Sequence, residues 1–125
     1  MTYAWIIAGA VLGAPLRYFL QTRIQSLAGE GFPAGTMVVN ITGCLVIGLL
    51  FTLAEQRSWL NREARLLLVT GFLGSYTTFS AFGWETYQLL RDDALLKAAA
   101  YVLGSVLVGL LGVWLGVLIG RTVSS

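Results

Sequence analysis

Four apolar stretches, each about as long as a bilayer crossing, alternate with short polar interruptions. They cover residues 4–20, 34–54, 65–90 and 98–119. A helix needs about 20 predominantly apolar residues to cross the hydrocarbon core, so each stretch is predicted to be one spanning helix. The interruptions read "QTRIQSLAGEGFP", "EQRSWLNRE" and "RDDALLK". Pro33 ends the first of them and suits a helix start, where its missing N–H is not needed. The opening "MTYAWIIAGAVLGA" has no Lys or Arg before Arg17. It therefore lacks the basic segment of a signal peptide and is expected to be the first span. Arg17 falls near the far end of that span, where a long side chain can snorkel to the headgroups. The pattern predicts an all-α membrane protein: one domain, residues 1–125, with four transmembrane helices.

The third stretch breaks its own pattern. "GFLGSYTTFSAF", Gly71 to Phe82, sets two glycines, a serine and two adjacent threonines at mid-span. These are weak helix formers. A helix interrupted in lipid frees N–H and C=O groups that cost several kcal/mol each when unsatisfied. Such a break survives buried in protein or beside a cavity, and it often marks an ion or substrate site. The upstream half is expected to end near Gly74, with carbonyls able to hold a small cation. The downstream half is expected to start near Thr78. Phe79 and Phe82 follow one turn apart, and their positive ring edges offer a weak anion contact. Close packing of a glycine-rich helix is the competing explanation.

Composition agrees with lipid. The 125 residues are 57% hydrophobic and 11% charged, with net charge +2, whereas soluble domains carry about a quarter charged residues. The few scattered arginines give no reason to expect a nucleic-acid partner. There is no histidine, and Cys44 is the single cysteine. That rules out a disulfide framework, a Cys/His zinc site within one chain, and a Ser-His or Cys-His nucleophile. The composition argues against an enzyme.

Four spans put both termini on one side. Arg57, Arg62, Arg65 and Arg121 then lie on that side, and Arg17, Arg23, Arg91 and Lys97 on the other. Lys/Arg bias is the main determinant of orientation, and here it is balanced. Either a weak bias is settled by other features, or both orientations occur and the protein works as an inverted pair. Gly9 with Gly13, and Gly109, Gly112, Gly116 and Gly120, form narrow ridges. Each allows close backbone approach, within the chain or to a second copy.

Polar groups inside the spans need a reason. Asn40 shares a helix stripe with Thr36 and Gly43. It is either an interhelical hydrogen bond, worth about 0.6 kcal/mol, or a ligand-facing amide. Tyr101 and Ser105 lie four apart on one face of the fourth helix, as an interfacial anchor or a water-lined groove. Glu85 is the one acid well inside a span. A charge there costs about 3 kcal/mol and usually faces a protein interior or a cavity, unless it reaches headgroup water.

Taken together, "GAPLRY", "GTMVVNITG", "GFLGSYTTFSAF" and Tyr101-x-x-x-Ser105, in order along four spans, resemble the small bacterial fluoride channels of the Fluc/CrcB family over the whole chain. The resemblance implies four-helix subunits that insert in both orientations and pair as an antiparallel, dual-topology homodimer. It implies two pores and a broken third helix whose carbonyls, here those of Gly74 and Thr77, hold a structural sodium ion at the dimer axis. Phe79 and Phe82 would line the pores, and Asn40 would donate hydrogen bonds to fluoride. Tyr101, Ser105, Thr78, Ser80 and Glu85 would lie along the path, with Arg17 near a pore entrance. The implied activity is passive fluoride export across the inner (plasma) membrane, a detoxification. The chain departs from the family pattern at Ser75 and Tyr76, where Gly and a bulky apolar residue are frequent. It departs again at Ala81, where Thr is usual, and at Gly109, a position that can be serine.

The alternative is a proton-coupled antiporter of the small multidrug-resistance type, also four-helix and dual-topology. Those proteins depend on a glutamate in the first helix, which has none here. A non-transporting membrane protein is the third reading, and it leaves the helix break without purpose.

Overall fold

The computed structural model describes residues 1–57 and 60–124, and these are all-helical. The chain runs α1 (Thr2–Ala28), α2 (Ala34–Arg57), α3 (Arg62–Arg65), a π-helical stretch (Leu66–Leu73), α4 (Gly74–Tyr76), α5 (Phe79–Arg91) and α6 (Leu95–Ser124). Four helical spans are long and apolar enough to cross a membrane, the third being Arg62–Arg91. This is a multi-pass membrane protein. Part of the expected second loop, Ser58 and Trp59, lies outside the described residues.

Contacts at the helix ends fix the up-and-down order. Arg62 Nη2 donates to Thr2 Oγ1 at 2.7 Å, setting the start of the third span beside the start of α1. Lys97 Nζ lies close to Gly31, setting the start of α6 beside the α1–α2 turn.

The helices associate as two parallel pairs with glycine seams. A β-carbon on Gly9 would overlap the Leu67 carbonyl, and one on Gly13 would overlap the Ser75 hydroxyl and the Phe72 carbonyl. Across the other seam, Gly112 faces Ile41, Gly116 faces Leu45 and Leu49, and Gly120 faces Thr52. The glycine ridges that the sequence leaves open between intrachain packing and a second copy are therefore filled within the chain. Dispersion contacts and close backbone approach, rather than the hydrophobic effect, hold helices together in lipid.

Two boundaries differ from those predicted. The first helix runs eight residues past residue 20, to Ala28, because its polar residues find partners instead of forming a loop. Gln21 Nε2 donates to Thr36 Oγ1, while Gln25 donates to the Phe32 carbonyl and accepts from Gly35 N–H. Positive φ at Gly29 and Gly31 then makes the turn. The third span does break, but not at Gly74, whose φ of −61° and ψ of −31° are helical. The upstream half continues to Tyr76, and the chain is extended at Thr77 and Thr78. Ahead of the break the helix widens to π-type turns where α1 approaches through Gly9, Gly13 and Gly71.

Candidate functional site

The break is fastened from three sides. Asn40 on α2 holds the backbone of Thr78 with both ends of its amide: Thr78 N–H donates to Asn40 Oδ1 at 2.8 Å, and Asn40 Nδ2 donates to the Thr78 carbonyl at 3.0 Å. Thr78 caps α5, its hydroxyl accepting from Ala81 N–H at 3.2 Å. Arg17 on α1 donates from Nε to the Ser75 carbonyl at 3.0 Å. A guanidinium suits the carbonyl end of a half-helix, where the dipole is negative. Arg17 is half-buried against the break rather than snorkelling outward. On the far side, Arg23, Arg91 and Lys97 remain as basic residues near the helix ends.

Two departures from the family pattern are absorbed here. Ser75 bonds back to the carbonyls of Gly71 and Phe72. Tyr76 is buried, stacks on Phe72, and shares a 2.8 Å hydroxyl bond with Thr42.

Beside the break lies a groove of about 400 Å³, lined among others by Asn40, Cys44, Gly74, Thr77, Phe79 and Ser105. Thr78 and Phe82 also reach it. Phe79 and Phe82 have ring centroids 5.6 Å apart. The Ser105 hydroxyl is buried without a partner. An unpaired buried hydroxyl is costly, and Ser105 is also one of the residues that line this groove. Ser80 is exposed, its hydroxyl 3.4 Å from that of Thr78.

Next along the molecule, Glu85 is held by two hydroxyls. Thr36 donates to Oε1 at 2.7 Å and Tyr101 to Oε2 at 2.8 Å. The Tyr101 ring lies 5.0 Å from Phe82 and 5.7 Å from Phe32. Thr36 and Tyr101 are buried. Glu85 and Thr36 also line a second, polar cavity of about 640 Å³, open toward Gln21, Gln88 and Lys97. Tyr101 is thus packed between a groove residue, Phe82, and two residues of the polar cavity, Phe32 and Glu85.

The structure brings Asn40, Gly74, Thr77, Thr78, Phe79, Phe82 and Ser105 to one groove, with Tyr101 and Glu85 adjoining it. Arg17 stands apart, on the opposite flank of the break. Sequence reasoning missed Thr36 as the partner of Glu85, Gln21 behind it, and Cys44 in the groove wall. Thr36 carried a signal, since it lies one turn before Asn40 on the same stripe.

The family model described as CrcB-like protein, Camphor Resistance (CrcB), matches residues 4–117. The chain belongs to the CrcB family. Its similarity to relatives is nearly end to end. It is 49% identical over 121 residues to the "Fluoride-specific ion channel FluC" of Solibacter usitatus, covering 97% of this chain and 99% of that one. To the protein of the same name from Chloroflexus aurantiacus it is 47% identical over 116 residues, covering 93% and 92%. The Nitrosococcus oceani protein of that name is 42% identical over 120 residues, covering 96% of each chain. Nothing in these similarities favours the antiporter.

Proposed function

We propose that this CrcB-family chain is a subunit of a fluoride channel that lets F⁻ leave the cell passively across the inner membrane. The observation that carries the reading is the groove itself: a buried, unpartnered Ser105 hydroxyl beside the paired rings of Phe79 and Phe82. Fluoride is small and strongly hydrated, so a pore must replace lost water without holding the ion tightly. The Ser105 hydroxyl and the second N–H of Asn40, left over after its bonds to Thr78, supply donors. Phenyl edges add mild positive potential. The relatives' names fit this chemistry.

The Tyr101 proton is directed to Glu85, so in this arrangement Tyr101 offers fluoride its ring rather than its hydroxyl. The polar cavity beyond Glu85 serves as the water-filled approach. The chain has no histidine, the described residues lining the groove include no basic one, and the in-span carboxylate, Glu85, is engaged by the Thr36 and Tyr101 hydroxyls, an arrangement that suits passive permeation. Fluoride enters cells as HF and dissociates inside, and a passive exit suits a negative-inside cell.

One chain leaves the groove open, with Phe79 84% exposed. A second, inverted copy would close it and give two pores per dimer. A structural sodium ion at the dimer axis fits the donors present. Thr78 and Ala81 turn their N–H groups to side chains, leaving the Gly74 and Thr77 carbonyls as oxygen ligands, the donors that a hard cation takes. The ion would supply long-range attraction for the anion and tie two copies together.

Fluoride efflux from loaded vesicles, followed with an ion-selective electrode and without a proton gradient, tests the reading. Electrogenic fluoride release is expected. Proton-coupled cation flux, or no flux, would overturn it.

A further inference from the structure

In an uninterrupted helix each amide bonds to the carbonyl four residues back. Thr78 N–H would then reach the Gly74 carbonyl, and Ala81 N–H the Thr77 carbonyl. Both amides are diverted. The first donates to Asn40 Oδ1 at 2.8 Å, the second to Thr78 Oγ1 at 3.2 Å. Two side chains have each taken one amide, and the two carbonyls so released are the pair assigned to sodium above.

We propose that Asn40 and Thr78 are the positioning residues of the cation site, each opening one carbonyl ligand by capturing its helical N–H. The inference rests on the sodium reading and deepens it. The Ser75 carbonyl, between the two, is taken by Arg17 and is not left for the cation. Asn40 also lines the groove. One residue of α2 therefore shapes both the cation site and the anion path, and displacing its amide affects both. Glycine at position 74 is not the cause of the break, since its dihedrals are helical. The cause is the competition of two side-chain acceptors for backbone donors.

The test uses full-length protein in vesicles, with ¹³C-labelled carbonyls at Gly74 and Thr77 followed by solid-state NMR during a sodium titration against N-methylglucamine. Wild type and Thr78→Ser are expected to shift both signals over one sodium range. Thr78→Val lets Ala81 N–H return to the Thr77 carbonyl, and that signal should need roughly tenfold more sodium, the weight of about one hydrogen bond. Asn40→Ala should weaken the Gly74 response instead. Wild-type titrations in both Thr78→Val and Asn40→Ala overturn the inference and leave the sodium site standing. Wild-type carbonyls that ignore sodium while fluoride still flows overturn the site and the inference together, and leave the channel standing.

Discussion

Tyr101 and Glu85 are joined by a 2.8 Å hydrogen bond that links the start of α6 to the middle of α5. Tyr101 is fully buried, and its ring lies against Phe82. The bond therefore sets the position of a groove aromatic as well as satisfying a carboxylate. Tyr101→Phe keeps the ring and removes the donor. It should cost about 1 kcal/mol in equilibrium unfolding, within the range of interhelical bonds in membranes. Glu85→Ala should cost more, because it strands the Thr36 and Tyr101 hydroxyls together.

Ser105 gives the opposite signature. Its hydroxyl has no partner to lose, so Ser105→Ala should leave stability within about 0.5 kcal/mol of wild type. Fluoride efflux should nevertheless fall by roughly tenfold, the worth of one donor to a passing ion. Equal efflux in Ser105→Ala would remove the hydroxyl from the path.

Phe82→Ile and Asn40→Asp should greatly reduce efflux while cross-linking of the proposed dimer is unchanged. The first removes the ring edge from the groove. The second sets a carboxylate where an amide donor stood. Normal flux in both variants would contradict the placement of the pore.

The α2–α6 seam offers a test of packing alone. A β-carbon at Gly116 would overlap the Leu45 carbonyl, and the two backbones must part to admit it. Gly116→Ala should destabilise the protein by about 1–3 kcal/mol in unfolding measurements. Gly83 has open space around it, so Gly83→Ala should be neutral or slightly stabilising by the same assay.

Much of the fold is legible in the residues because apolar length and periodicity are local properties. The four spans, the presence of a break in the third and a restart near Thr78 follow from such local properties and from the run of weak helix formers. What was not legible depends on partners distant in the chain. Gln21 and Gln25 look like loop residues until Thr36 and the Phe32 carbonyl are seen across from them. Gly74 attracts attention as a weak helix former, yet the break falls at Thr77 and Thr78. There it is held by Asn40, 38 positions away. The glycine ridges announce close approach without saying to which helix. Arg17 looks like a headgroup anchor because nothing near it in sequence reveals the Ser75 carbonyl.

The parallel pairing of α2 with α6 has a consequence for biosynthesis. The second span leaves the translocon long before the last is made, and its tightest neighbour does not yet exist. Until α6 emerges, Gly48 and Thr52 lack the Val113 and Gly120 backbones that adjoin them in the folded chain. Assembly of this chain is thus completed from its C-terminal end, and a ribosome stalled before residue 95 would leave a half-zipped intermediate for membrane quality control to find.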